Sequence, residues 1–395
     1  MKNNLKVSFC GIQLENPCIL ASASPTQSKE GLAKAFKLGW AGVVTKTCTP
    51  NYLITEDAPN RFGVFRGADG SVEGFENFEG LTQKPVEYWE KTVSELKKEF
   101  PGKVVIASIM ADVKREPWQD LARRMEAAGA DAIELNLSCP HFRLEDDMGA
   151  AIGKSVENSA LITAWVKGVV NIPVIAKLTP NVSDIQEVTA SVVKAGADAI
   201  ATINTVQGMI GVDIETLEPL PAVEGFSSFG GYSGNAVKPI GLRCVAQVAQ
   251  VTDVPIHGIG GISKWQDIVE YYAVGASCVQ ICTEVMLSGY QIIKPMLEGL
   301  SEYVERKGLN SLNDITGVAV PKIRARERLN MKWHKRSTVV NPQNCTNCAK
   351  CYVSCNESGK NAISFVDKKV TVNDAQCDGC SLCTHVCPHG VLALS

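Results

Sequence analysis

The feature that most constrains the fold is an alternation of short apolar runs with longer amphipathic segments, repeated eight times between residues 16 and 308 of this 395-residue chain. The runs have the length of buried strands, and most of the segments carry the period of helices that bury one face. The predicted strands are 18–22, 42–46, 104–109, 132–136, 174–178, 199–204, 255–259 and 278–282. Predicted helices include 116–128, 156–169, 184–195, 239–251 and 264–274. Eight such units predict a closed (β/α)8, or TIM, barrel, because an open sheet of this size usually has a doubly wound order and a glycine-rich first turn.

The composition excludes several classes of protein. With 45% hydrophobic residues and a formal net charge of -3, the chain is globular and has no broad positive face for nucleic acid. No segment approaches the roughly 20 apolar residues of a membrane helix, and residues 1–9 lack the apolar core of a signal peptide. We therefore expect a cytoplasmic protein with reduced thiols that binds neither nucleic acid nor a membrane.

Eight of the fifteen cysteines lie in the last 51 residues, in two runs with the same spacing. The runs are Cys345, Cys348, Cys351, Cys355 and Cys377, Cys380, Cys383, Cys387. In bacterial ferredoxins, three cysteines separated by two-residue gaps bind one 4Fe-4S cluster, and the fourth cysteine of the run binds the other cluster. We therefore expect a first cysteine set of Cys345, Cys348, Cys351 and Cys387, and a second cysteine set of Cys355, Cys377, Cys380 and Cys383. A zinc site would leave thiols unused, and disulfides do not fit a chain that nothing marks as secreted.

These patterns divide the chain into a catalytic barrel domain (1–310), a basic linker (311–340) and a small, bacterial-type two-cluster ferredoxin domain (341–395). The basic residues of this region are Lys322, Arg324, Arg326, Arg328, Lys332, Lys335 and Arg336. One interpretation is a solvated connector. The other is an electrostatic docking site for a partner subunit, or a cover that offsets the negative charge of the cluster thiolates.

Glycine placement indicates which nucleotide the barrel can bind. No Gly-x-Gly-x-x-Gly follows the first strand, where Ala21 and Ser22 stand, so we expect no dinucleotide site in this chain. Gly258, Gly260 and Gly261 instead follow the seventh strand, where barrels commonly bind a phosphate on loop amides. This position suits a mononucleotide.

Polar side chains close several predicted strands, and the active sites of TIM barrels lie at these strand ends. Lys46 and Lys177 end the second and fifth strands; each alone could cap a helix or pair with a carboxylate, but two cations over one ligand suit a flavin whose reduced ring is anionic. Asn136 and Asn204 end the fourth and sixth strands, although asparagine is unfavourable in strands. Their amides either display donors and acceptors to a planar ligand or bond to nearby loop backbone.

Cys139 is the sharpest single candidate. It follows Ser138 in a loop closed by Pro140, ahead of a polar segment at 141–153 with Gly149 and Gly153 as candidate hinges. Such a segment predicts a mobile lid, and a thiol on a lid can deliver a proton. The alternative is another buried packing cysteine, the interpretation we give to most free cysteines of the barrel.

Six motifs carry a family resemblance. They are Asn-Phe-Glu (77–79), Asn-Leu-Ser-Cys-Pro (136–140), Ala-Lys-Leu-Thr-Pro-Asn (176–181), Asn-Thr-Val (204–206), Gly-Tyr-Ser-Gly (231–234) and Gly-Ile-Gly-Gly-Ile (258–262). With the cysteine-rich tail, the chain resembles the FMN-containing, pyrimidine-reducing subunits of NAD-dependent dihydropyrimidine dehydrogenases, in the wider dihydroorotate dehydrogenase superfamily. The resemblance spans essentially the whole chain.

The resemblance implies a role for each matching residue. FMN would be bound by Ala21, Lys46, Thr47, Lys177, Gly234, Gly260, Gly261, Cys282 and Thr283. The pyrimidine base would be bound by Asn77, Glu79, Asn136, Ser138, Asn204 and Thr205. Cys139 would donate the proton, and a partner flavoprotein subunit with iron–sulfur clusters would bind FAD and NADH and feed electrons to the 4Fe-4S clusters of a hetero-oligomer. The chain departs from the better-known multidomain enzymes at 142–154, which lacks their glycine-rich lid, and at Ile203, where they have threonine.

The chemistry of the uracil ring agrees with these roles. Reduction of the 5,6 double bond needs a hydride at C6 and a proton at C5, and a thiol with a pKa near 8.5 stays protonated at neutral pH and can donate. Glu79 would repel the carboxylate of orotate, which favours uracil or thymine. The alternatives are a dihydroorotate dehydrogenase, a reductase of another cyclic amide or enone, and a non-catalytic electron-transfer module.

Overall fold

The structure is a computed structural model, and it describes residues 5–54, 59–137, 150–331 and 335–395. The strands are β1 (Val7–Phe9), β2 (Ile12–Leu14), β3 (Cys18–Leu20), β4 (Gly42–Val44), β5 (Arg61–Arg66), β6 (Val72–Phe78), β7 (Val104–Ile109), β8 (Ala132–Asn136), β9 (Val174–Leu178), β10 (Ala199–Thr202), β11 (Val206–Gly208), β12 (Gly211–Val212), β13 (Pro219–Leu220), β14 (Gly230–Ser233), β15 (Ile256–Ile259), β16 (Cys278–Ile281), β17 (Ser337–Val339), β18 (Ile363–Val366), β19 (Lys369–Val372) and β20 (Leu392–Leu394). The helices are α1 (Lys29–Leu38), α2 (Val86–Glu99), α3 (Arg115–Ala127), α4 (Ala150–Lys154), α5 (Val156–Lys167), α6 (Ile185–Lys194), α7 (Lys238–Ala249), α8 (Trp265–Ala273), α9 (Thr283–Ser288), α10 (Ile293–Lys307), α11 (Lys350–Glu357) and α12 (Leu382–Val386).

The predicted TIM barrel is confirmed. Strands β3, β4, β7, β8, β9, β10, β15 and β16 close into a parallel barrel, and each pairs with the next one along the chain. The eight strands coincide with the eight predicted apolar runs. All their residues except Asn136 at the end of β8 are buried, as expected of strands covered by helices on one side and packed barrel interior on the other.

Capping residues mark the ends of several helices around the barrel. Ser28, Ser155 and Asp184 cap α1, α5 and α6 by accepting a hydrogen bond from a backbone N–H of the first turn. Helix α1 ends at Gly39, whose φ of 110° suits a residue without a Cβ atom. Trp89 and Trp118 on α2 and α3 are fully buried, so these helices bury their apolar faces in the core around the barrel.

A second sheet, which the sequence pattern did not predict, is built from the insertions that follow β4 and β10. Its antiparallel order is β11-β14-β6-β5. The buried carboxylate of Glu76 on β6 accepts hydrogen bonds from Gly230 N at 3.0 Å and Ile210 N at 3.2 Å. These two bonds link the two insertions next to Asn77 and Glu79.

The chain divides into a first unit, Met1–Lys322, and a second unit, Ile323–Ser395. Residues 311–322, assigned to the linker on sequence grounds, belong to the first unit, where Leu312 is fully buried and Ala319 N bonds to Ala273 O. A linker therefore remains a prediction for residues 323–340 only. One of its basic residues, Lys332, lies outside the described residues. Among the residues that the structure describes, no helix is both long enough and apolar enough to cross a membrane.

The second unit has a small core to which cysteine contributes heavily. Strand β17 pairs with β20, β18 pairs with β19, and α11 packs against α12. The buried core residues are Cys351, Cys355, Ala362, Ile363, Cys383 and Leu392. Half of this core consists of predicted cluster ligands.

Candidate active site

A pocket of about 1200 Å³, part of it open to solvent, lies at the carboxyl ends of the barrel strands. It is bounded by the strand ends, the second sheet and the glycine-rich turn after β15. All fourteen described members of the predicted site line this pocket. They are Ala21, Lys46, Thr47, Asn77, Glu79, Asn136, Lys177, Asn204, Thr205, Gly234, Gly260, Gly261, Cys282 and Thr283. Ser138, Cys139 and residues 141–149 of the predicted lid lie outside the described residues.

Lys46 and Glu79 form an ion pair on the wall of this pocket. The distance from Lys46 Nζ to Glu79 Oε1 is 2.6 Å, and both side chains are nearly buried. Ser24 Oγ donates to the same carboxylate oxygen at 2.6 Å, and Asn60 Nδ2 donates to Ser24 Oγ at 3.3 Å. The charge of Glu79 is therefore offset by a neighbouring cation, so its repulsion of an anionic ligand is weaker than the sequence alone suggested.

Lys177 is held from inside the barrel by Glu134. Lys177 Nζ lies 3.2 Å from Glu134 Oε1, and Gln280 Nε2 donates to the other carboxylate oxygen at 2.6 Å. Gln280 Nε2 also lies 3.2 Å from His257 Nδ1. Burial, and secondarily the charge of Lys177, lowers the pKa of His257 to about 3, so its imidazole is neutral at neutral pH.

Sequence reasoning missed Glu134, Gln280 and His257. A signal existed, because side chains two apart on a strand point to the same side. Glu134 stands two residues before Asn136, and Gln280 two before Cys282, so each shares its side of the strand with a predicted site residue. Polar residues inside otherwise apolar barrel strands identify the interior face that leads to the pocket.

The asparagine and threonine side chains form a connected row along the pocket. Asn136 Nδ2 donates to Thr47 Oγ1 at 3.0 Å, and Asn204 Nδ2 lies 3.3 Å from Asn136 Oδ1. Asn77 Nδ2 donates to Gly231 O at 2.9 Å, and Asn204 Oδ1 accepts from Thr205 N at 2.9 Å. Two of these bonds go to nearby backbone, as one interpretation of the amides expects, and the display of amide groups to a planar ligand stays a prediction. The result is a set of polar groups held in fixed orientations along the pocket.

Three glycines line the end of the pocket near β15. Gly234, Gly260 and Gly261 have φ angles of 90°, 123° and 67°, which disfavour side chains. A Cβ atom on Gly261 would lie 2.8 Å from Gly234 O and from Lys238 N, at the start of α7. Backbone without side chains beside a helix start is suited to a phosphate, and with Lys46 and Lys177 in the same pocket the residues fit a flavin mononucleotide. Cys282 adds no nucleophile, because burial raises the pKa of its thiol to about 12.

In the second unit, all four members of the second cysteine set and three members of the first lie near one another. Cys355, Cys377, Cys380 and Cys383 line one small pocket. In the other set, the thiol of Cys351 interacts electrostatically with Cys387 and Cys345. In the described part of the chain, no three His, Cys, Asp or Glu side chains are arranged for a single metal ion. The grouping fits two clusters with the ligand exchange expected from the spacing.

Comparison with known proteins places these features in a family context. Residues 4–304 match the dihydroorotate dehydrogenase family, and residues 338–394 match the 4Fe-4S dicluster domain family. The chain is 38% identical to the NAD-dependent dihydropyrimidine dehydrogenase subunit PreA of Escherichia coli, over 100% of this chain and 96% of that protein.

Two further relatives match a smaller share of the chain. Identity to the chloroplastic dihydropyrimidine dehydrogenase (NADP(+)) of Arabidopsis thaliana is 34%, over 80% of this chain and 76% of that protein. Identity to the catalytic subunit of dihydroorotate dehydrogenase B (NAD(+)) of Pyrococcus abyssi is 40%, over 80% of this chain and 99% of that protein.

Proposed function

The chain belongs to the dihydroorotate dehydrogenase family, and from this premise we propose that it reduces the 5,6 double bond of uracil or thymine to the 5,6-dihydropyrimidine. It is an oxidoreductase with FMN in the barrel and 4Fe-4S clusters in the second unit. When bound, FMN supplies the hydride that reaches C6 of the ring, and the clusters carry the single electrons that replace it.

The observation that carries the substrate assignment is the extent of the alignments. The match to the dihydropyrimidine dehydrogenase subunit covers the whole chain, cysteine-rich tail included. The match to the dihydroorotate dehydrogenase B catalytic subunit uses 99% of that protein but only 80% of this chain. Identities of 38% and 40% do not separate the two activities, but of the three relatives compared, the one whose match covers the whole chain is a dihydropyrimidine dehydrogenase subunit.

The chain's own residues orient the ring and move the proton. Asn136, Asn204 and Thr205 present amide and hydroxyl groups to the edge of a flat heterocycle, and Asn77 approaches from the second sheet. Glu79, held by Lys46 and Ser24, accepts a hydrogen bond from a ring N–H. Cys139 would donate the proton to C5, since a thiol is a far stronger acid than an alcohol.

Electrons enter through a partner. The chain lacks a dinucleotide fingerprint after β3, so NADH and FAD belong to a second, iron–sulfur flavoprotein subunit, and the active assembly is a hetero-oligomer. The test is to supply the isolated, FMN-loaded chain with NADH or with reduced methyl viologen under anaerobic conditions. Uracil turnover with the viologen and none with NADH is expected, and NADH-driven turnover by the isolated chain contradicts this electron route.

Dihydroorotate dehydrogenase activity is the second candidate, and the Lys46–Glu79 ion pair favours it, because a neutralised Glu79 repels orotate less than a lone carboxylate would. Steady-state rates with uracil, thymine and orotate and the same donor decide between the two. Faster reaction with orotate than with uracil overturns the proposed substrate. A purely electron-transferring module predicts no reaction with any of the three, and it does not account for the polar lining of the pocket.

A further inference from the structure

Ser337 directs two hydrogen-bonding groups at the second cysteine set. Its backbone N–H donates to Cys377 Sγ at 3.4 Å, and its Oγ lies 3.1 Å from Cys383 Sγ. Ser337 is 2% exposed, so no water competes for its hydroxyl. A single serine thus contacts two of the four thiols expected to bind the same cluster.

The strand pairing explains why this backbone group is available. Arg336 and Ser395 exchange both backbone hydrogen bonds at the start of the β17–β20 pair. In an antiparallel pair the next residues, Ser337 and Leu394, face each other without such bonds. The N–H of Ser337 therefore points away from β20 and towards Cys377.

The direction of the side-chain hydrogen bond follows from the chemistry of the ligand. A cysteine bound to iron is a thiolate, which has no proton to give. The hydroxyl of Ser337 must then donate, and Cys383 Sγ must accept. The bond strengthens when an electron enters the cluster, because the added negative charge is shared by its sulfur atoms.

We propose that Ser337 raises the reduction potential of the cluster bound by the second cysteine set. An electron that can occupy either of the two clusters then resides more often on this one. The step adds one electron to the cluster and removes one from its donor. No covalent bond changes, and Ser337 keeps its proton. This inference depends on the two cluster sites and not on the identity of the reduced substrate.

The first cysteine set offers a matched comparison. There the side chain of Thr346 is placed to hydrogen-bond to Cys348, but both residues are exposed. Water replaces a lost hydroxyl at an exposed sulfur, so that hydrogen bond contributes less. Removal of the Thr346 hydroxyl should therefore have a smaller effect, and on the other cluster.

The test is a redox titration monitored by electron paramagnetic resonance on the full chain, reconstituted anaerobically with iron and sulfide. Ser337→Thr and Ser337→Val form the decisive pair, because the two side chains have similar volume and differ in the hydroxyl. We expect the valine variant to lower the equilibrium constant for reduction of one cluster about tenfold, equivalent to 59 mV for one electron, and to leave the other cluster unchanged. The threonine variant should stay near the wild type.

Two control variants complete the test. Ser337→Ala should give the same loss as Ser337→Val, which separates the effect of the hydroxyl from that of bulk. Thr346→Val should shift the other cluster by a smaller factor. Equal midpoints in the threonine and valine variants, or equal shifts of both clusters in Ser337→Val, overturn the proposal. None of these readouts uses a pyrimidine, so failure here is distinct from failure of the proposed enzymatic function.

Discussion

Lys46 and Glu79 lie 33 positions apart in the chain, yet they form a nearly buried ion pair of 2.6 Å at the rim of the barrel. One comes from the end of a barrel strand and the other from the inserted sheet. The pair therefore joins the expected flavin side of the pocket to the expected substrate side. We therefore expect the net charge of the pair to influence which ring substituents the pocket tolerates.

Replacing Glu79 with glutamine leaves Lys46 without its counter-ion next to the substrate. A free cation attracts the carboxylate of orotate, so the ratio of kcat/KM for orotate to that for uracil should rise about tenfold, or ~1.4 kcal/mol. Steady-state kinetics with an artificial donor measure the ratio. Ser24→Ala is the control, because it removes a hydrogen bond to Glu79 but keeps the charge. An unchanged ratio in Glu79→Gln would show that Glu79 does not sense the ring substituent.

Cys139→Ala removes the proposed proton donor. Because general acids contribute roughly 10²- to 10⁴-fold, uracil reduction should slow by about that factor while FMN stays bound. Cys139→Ser should be similarly slow, since an alcohol is a much weaker acid. The measurements are turnover with reduced viologen and the flavin absorbance of the purified variants. Turnover of Cys139→Ala at the wild-type rate would remove Cys139 from the mechanism.

His257 should make the barrel less stable in mild acid. Its pKa is about 3 in the folded chain and near 6.5 when unfolded, so between these values the unfolded chain binds a proton that the folded chain does not. The free energy of unfolding therefore falls as the pH drops below 6.5, by up to ~1.4 kcal/mol per pH unit from this group. Urea unfolding of wild type and His257→Gln between pH 7 and 5 tests this. Equal pH slopes would mean that His257 is not the responsible group.

Iron removal should unfold the second unit and leave the barrel intact. Three of the seven buried hydrophobic residues described in Ile323–Ser395 are cysteines, and a unit of this size has little other apolar core. After anaerobic treatment with an iron chelator, limited proteolysis should cleave within residues 323–395 and spare the barrel. The chain loaded with clusters is the control. Equal protease resistance of the tail with and without iron would contradict this dependence.

The parts of the fold that follow a period could be predicted, and the insertions could not. Each barrel strand is buried on both sides, so it reads as a continuous apolar run, and the eight runs at 18–22 through 278–282 coincide with the observed strands. The sequence does not predict β5 and β6. Strand β5 is largely exposed, and neither β5 nor β6 is a continuous apolar run. The sequence pattern assigns Leu312 to the linker because a single buried leucine after α10 does not form a periodic pattern.

The site was predictable to the extent that strand ends are predictable. Lys46, Asn136, Lys177 and Asn204 were identified because polar residues at the ends of apolar strands must face the pocket in a barrel. The ion partners of the two lysines were not identified. Glu79 contacts Lys46 because the inserted sheet positions it there, and Glu134 contacts Lys177 from the adjacent barrel strand. Neither contact follows from the spacing of residues along the sequence.

The reaction proposed for this chain is reduction of the 5,6 double bond of a pyrimidine base. The most direct test is a single turnover under anaerobic conditions, in which the FMN- and cluster-loaded chain is first reduced and then mixed with uracil. We predict that the oxidised flavin absorbance returns while dihydrouracil forms, one molecule for every two electrons released. A flavin that stays reduced in the presence of uracil and thymine but is reoxidised by orotate would contradict the claim.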